Sequence, residues 1–175
     1  MARKWKPNLV DAPAARLYVM ASFDDPEAYF QVRKQLQSRF GAVDYETESI
    51  TGSAQQSLYE FTPRRLARLV SFQRQVGREE LVDIRRNTLA IEARVQFQGR
   101  PLVELDPGYV TQFSVVRSSL AEDFHRIYLY GGIYAEPLYY YERMVYRPYQ
   151  HTPPFFLLRE VLAAFHDIRL IHVSE

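Results

Sequence analysis

The sequence contains no cysteine, which excludes disulfide staples, thiolate metal ligands and a cysteine nucleophile. No stretch approaches the roughly 18 consecutive apolar residues of a membrane-spanning helix. Lysine is scarce, three of the 22 basic residues, and the rest are arginine. Acidic residues number 21, so the net charge is +1 and no global field steers the chain toward nucleic acid or an anionic membrane. Glycine is limited to 7 positions, and no lysine follows any of them. A phosphate-cradling Gly-x-x-x-x-Gly-Lys-Ser/Thr loop is therefore excluded. Residues 1–13 carry Arg3, Lys4 and Lys6, then Pro7 and Pro13, with no apolar signal-peptide stretch behind them, so the expected location is cytoplasmic.

The 175 residues are 47% hydrophobic, enough for one unstapled domain over 1–175. Leu17 to Phe23 is apolar on both faces and reads as a central strand. Asp24-Asp25-Pro26 is a helix start, followed by Tyr29, Val32, Leu36 and Phe40 at helical spacing before Gly41. A half-exposed strand follows over Val43 to Ile50, then a polar loop over Thr51 to Thr62. Leu66 to Val76 reads as a strand, Leu81 to Val95 as an amphipathic helix stopped at Gly99, and Leu102 to Leu105 as a short strand. After an arm over 1–14, residues 16–106 thus run β-α-β-β-α-β, the order of a ferredoxin-like unit. Residues 107–175 add strands at Tyr109 to Val116, Arg126 to Tyr130 and Ile133 to Tyr141. Gly131-Gly132 is a two-residue hairpin signal, Thr152-Pro153 opens a last helix, and Ile168 to Val173 reads as a terminal strand. The expected class is α+β with a mostly antiparallel sheet.

Leu69-Val70-Ser71-Phe72, Leu105-Asp106-Pro107-Gly108-Tyr109, His125-Arg126-Ile127-Tyr128-Leu129 and Gly132-Ile133-Tyr134-Ala135-Glu136 together resemble a bacterial family, domain-of-unknown-function family 4416. The resemblance runs from about Leu17 to the last helix and implies kinship, with no activity attached. Where such relatives have a Tyr-Pro-Asp-Tyr segment before the last helix, this chain has Arg147-Pro148-Tyr149-Gln150-His151-Thr152. A GTP-binding label carried by some relatives finds no support here, because the phosphate loop is missing and Asp24-Asp25 would repel phosphate where the first strand enters its helix.

Asp106-Pro107-Gly108-Tyr109 has turn chemistry, with Tyr109 expected to bring its hydroxyl toward the carboxylate. A two-residue loop at Gly131-Gly132 sets Leu129 opposite Tyr134, Ile127 opposite Glu136 and His125 opposite Leu138. His125 and Glu136 are then neighbours on an apolar surface, which is how a general base is oriented and desolvated. Pro137 confines that strand to an edge or a bulge. The leading expectation is a polar site for a small anionic ligand. Asp106, His125 and Glu136 carry the proton chemistry, and Tyr109, Arg126 and Tyr128 bind the ligand, Arg126 bidentately. Asp44, Glu46 and Glu48 alternate along a strand and read as a solvated face in preference to a cation site. His151, His166 and His172 lack metal spacing, and neither metal nor cofactor is expected. Six of the 13 tyrosines fall between Tyr134 and Tyr149, which makes a homodimer interface the alternative expectation. The charge balance argues against nucleic-acid binding, even though Arg64, Arg65, Arg68, Arg74 and Arg78 fall close together.

Overall fold

The computed structural model describes residues 7–51 and 65–175. Residues 1–6, nearly all of the expected polar loop and Arg64 lie outside them. Strand β1 (Ala15–Phe23) is buried at every position, as its two apolar faces require. Helix α1 (Pro26–Phe40) begins where Asp25 accepts a hydrogen bond from the Glu27 amide at 2.9 Å and ends at Gly41, whose φ is +100°. After β2 (Val43–Glu46) and β3 (Leu66–Val76), a single 3-10 turn leads into α2 (Leu81–Arg94). The Gly77 amide donates to Glu80 there at 2.7 Å. A small hairpin, β4 (Gln96–Phe97) and β5 (Arg100–Pro101), precedes β6 (Val103–Val110) and β7 (Ser114–Ser119). Strands β8 (Ile127–Tyr130), β9 (Ile133–Glu142) and β10 (Val145–Pro148) and helix α3 (Arg159–Ser174) complete the chain.

The main sheet has the order β10-β9-β7-β6-β1-β3-β2, with β8 also paired to β9. All its pairings among the described residues are antiparallel, so the α+β class is as expected. The alternation of β1 sorts the core into two layers. Leu17, Val19, Ala21 and Phe23 pack with Tyr29, Val32 and Leu36 of α1 and Ile84 and Ile91 of α2. Tyr18 and Met20 face the other way, beneath Phe155, Phe156, Val161, Phe165 and Ile168. Each of these fully buried aromatic or aliphatic side chains contributes about 1.5–3 kcal/mol through burial.

The second half departs from expectation in four places. Asp106 to Tyr109 is not a turn but the interior of β6, where β1 pairs with the whole strand. Pro107 is tolerated because pairing with β7 starts only at Gly108. Gly108 is required by a close approach: a Cβ there would lie 2.1 Å from the Val116 carbonyl oxygen and 2.4 Å from the Tyr18 hydroxyl. The expected strand over Tyr109 to Val116 is instead the end of β6, a turn held by Thr111, and the start of β7. The last helix starts at Arg159 after a separate 3-10 turn at Pro154–Leu157, and it runs through the expected terminal strand. The periodicity of Val161, Ala164, Phe165 and Ile168 continues to the core, so the helix wins there. Finally, Gly131 and Gly132 do form the hairpin loop with positive φ. Leu129 is bulged, however, so Tyr128 faces Tyr134 and Ile127 faces Ala135.

Candidate functional site

Four strands present one residue each in a continuous row on the α3 side of the sheet. Tyr18 faces Gly108, Gly108 faces Arg117, and Arg117 faces Glu136. Met20 and Asp106 form the next pair along the same face. Arg117 is therefore placed between two carboxylates. It donates to Asp106 Oδ2 at 3.1 Å, and its Nε lies 3.4 Å from Glu136 Oε1. Arg126, just before β8, donates through Nε to Glu136 Oε2 and through Nη1 to the Ala121 carbonyl at 2.9 Å. Phe156 covers the guanidinium of Arg117, 5.7 Å from its ring centroid. All four charges are shielded from solvent, which makes each dependent on its partners.

The two carboxylates are driven in opposite directions. Burial raises Asp106 above the ordinary carboxylate range, and Arg117 and Arg85 only partly offset it. Burial would also raise Glu136, but Arg117, Arg126 and His125 together hold it below its usual value. Burial opposes the charge on Arg117, yet Asp106 and Glu136 secure it more strongly than usual. Two titrating groups pushed apart by their surroundings are the pattern of an acid and a permanently ionised partner.

The outer edge of β9 explains how histidines reach this network. Strand β8 pairs with β9 at Ile133 to Ala135 and β10 pairs at Tyr139 to Glu142. Between them Glu136 to Leu138 meets no strand on the side away from β7, where Pro137 also lies at a register irregularity. The loop after β10 fills this gap. Thr152 Oγ1 donates to the Leu138 carbonyl at 2.7 Å, and His151 Nε2 meets the Pro137 carbonyl at 2.8 Å. His125 stacks on His151 with ring centroids 3.8 Å apart, and the Tyr149 ring lies parallel to that of His151 at 5.1 Å. His125 Nε2 lies 3.5 Å from Glu136 Oε2, and Nδ1 lies 4.0 Å from Asp123 Oδ2. Its side chain is 10% exposed, yet neither ring nitrogen makes a hydrogen bond among the described residues.

Of the residues singled out from the sequence, Asp106, His125, Arg126 and Glu136 are thus brought together around Arg117. Tyr109 is not, because alternation along β6 puts it on the opposite face with Leu81, Val116 and Ala135. Tyr128 lies on the hairpin, exposed, with its ring against Tyr134. Arg117, Arg85 and His151 were not legible as site residues. A charge inside the run Ser114–Ser119 was the one available signal for Arg117, since lone charges in buried strands need partners. Asp44 and Glu46 do not form the solvated face expected of them. A bulge in β2 turns Asp44 toward Arg16 and Ser71, while Glu46 faces Tyr29 and Arg33 of α1. No group of three or more His, Asp or Glu side chains among the described residues is arranged to hold a metal ion.

A family model described as "Domain of unknown function (DUF4416)" matches residues 13–172. The chain belongs to the DUF4416 family. The matched span contains every member of the network around Arg117 and both stacked histidines. No curated protein and no solved structure matches this DUF4416 chain. No helix among its described residues is long and apolar enough to cross a membrane. Tyr139 and Tyr146, in the tyrosine-rich stretch, belong to the core beneath α3. Exposed apolar side chains in and beside that stretch include Phe124, Ile127, Tyr128, Tyr130, Tyr140, Met144 and Val145.

Proposed function

We propose that this chain binds a small anionic molecule beside His125, where the loop after β10 closes over β9, and exchanges a proton with it through that imidazole. The observation that carries this reading is the imidazole of His125, nine-tenths buried and without a hydrogen bond. Such a group costs free energy until a ligand satisfies it. Glu136, 3.5 Å from Nε2, orients the ring, and Nδ1, 4.0 Å from the half-exposed Asp123, is the nitrogen a ligand would meet. In the buried network three guanidiniums, Arg85, Arg117 and Arg126, meet two carboxylates, Asp106 and Glu136, and the surplus positive charge favours an anion. Asp106 and Glu136 act in this reading as positioning residues, and Tyr128 and Tyr149 as rim. The strand order β6-β1-β3-β2 with α1 and α2 on one face supports a ferredoxin-like frame for the site.

The test is a titration of inorganic phosphate followed by imidazole NMR. Saturable shifts of the His125 and His151 resonances below about 10 mM phosphate are expected, with the His151 shift lost in His125→Phe. Resonances that do not move, or that move linearly without saturation, would overturn the reading. A second reading, a protein contact through the hairpin, is favoured by the exposure of Ile127, Tyr128 and Tyr130 on an edge strand.

A further inference from the structure

On the opposite face of the sheet, α1 and α2 leave a groove of about 340 Å³ between them. Arg39 and Arg94 line it together with Gln35, Asn87 and Ser38, and Ile91 forms an apolar patch within it. No carboxylate contributes to its walls. Each arginine stands in the last turn of its helix, where the C-terminal end of the dipole favours a cation. That accounts for the charge and leaves the guanidinium forks unused. Neither side chain makes an ion pair or a hydrogen bond among the described residues, in contrast to Arg33, Arg85, Arg117 and Arg126. The Oε1 of Gln35 is buried without a donor among the described residues.

Two free guanidinium forks select an oxyanion, and phosphate matches their paired donors best. An orphaned carboxamide oxygen beside them selects a donor on the same ligand, such as a hydroxyl. The volume of the groove is at the lower end of small-molecule sites. We propose that the α1/α2 groove binds a small hydroxyl-bearing phosphate ester, with Arg39 and Arg94 on the phosphate and Gln35 on the hydroxyl. The site is independent of the histidine stack, which lies on the other side of the sheet.

The experiment titrates the full chain with glycerol 3-phosphate and, separately, with inorganic phosphate, reading the side-chain amide resonances of Gln35 and Asn87. Saturable shifts are expected, at least several-fold tighter for the ester, and weakened about tenfold in each of Arg39→Gln and Arg94→Gln. Both arginines are exposed, so the single variants keep the fold, which their backbone amide spectra verify. Amide resonances that fail to saturate, or that saturate identically in the variants, would overturn the proposal. Equal affinity for the two probes would overturn the assignment of a hydroxyl to Gln35. The imidazole resonances of His125 report the other site in the same spectra, so failure at one is distinguished from failure at both.

Discussion

The rings of His125 and His151 stack with centroids 3.8 Å apart and planes inclined by 18°. One residue precedes β8 and the other follows β10, and both reach the unpaired stretch of β9 around Pro137. The stack therefore depends on two hairpin arms that leave the same strand edge at different points. Beneath it lies the chain of charges from Asp106 through Arg117 and Glu136 to Arg126.

The first prediction separates the two carboxylates of that chain. Glu136→Gln strips two buried guanidiniums of their shared anion and is expected to cost about 3–5 kcal/mol. Asp106→Asn is expected to cost less, because burial raises the pKa of Asp106 and so offsets part of what its charge contributes, whereas Glu136 is held below its usual value. Urea denaturation at pH 7 measures both. A larger loss for Asp106→Asn would contradict the opposite tuning of the pair.

Gly108→Ala tests the close approach inside β6. The added methyl meets the Val116 carbonyl and the Tyr18 hydroxyl well inside van der Waals distance, so a loss of about 3 kcal/mol or more is expected. Adding Tyr18→Phe removes only the hydroxyl clash, and the backbone carbonyl remains. The double variant should stay clearly less stable than Tyr18→Phe alone, as thermal unfolding of the two will show.

Glu92 supplies a pH signature. Its carboxylate accepts the Leu105 amide at 2.6 Å, and burial pushes its pKa up to about 7. A raised carboxylate pKa means that the folded state binds the proton more tightly than the unfolded chain. The resulting stability is fully present below the unfolded value of about 4.3 and is lost as pH rises through about 7. Glu92→Gln keeps an acceptor for Leu105 without the charge. It should match the wild type near pH 4 and exceed it by about 1–3 kcal/mol near pH 8.5. Parallel stability curves for the two proteins across that range would refute the assignment.

Single-stranded RNA provides a negative control for the whole electrostatic account. A chain of net charge +1, with most of its site arginines internally paired, is expected to show no micromolar, salt-sensitive retention in filter binding. Affinity that falls steeply between two salt concentrations would report released counterions and a basic surface.

Much of the architecture was legible because local rules and the fold agree there. The double-sided apolar run of β1, the Asp25-Pro26 start of α1 and the periodicity of α2 each carry their own signal over one element. The pairing of His125 with Glu136 was also legible, because a glycine pair brings sequence neighbours together across a hairpin. That pairing survived the Leu129 bulge, whereas the facing residues did not.

What only the tertiary structure decided concerns long-range geometry. Asp106 to Tyr109 has the composition of a turn, yet β1 holds it extended, since ladder hydrogen bonds and the Tyr18 contact outweigh local preference. Arg117 becomes the centre of the site only through pairing with β6 on one side and β9 on the other. His151 joins it only because Pro137 leaves a gap that the loop after β10 fills. The sequence by itself determined which segments are buried and which residues can titrate, through period and side-chain chemistry. Which of those groups meet, and which way each pKa moves, followed from strand order, register and burial, none of which any single segment contains.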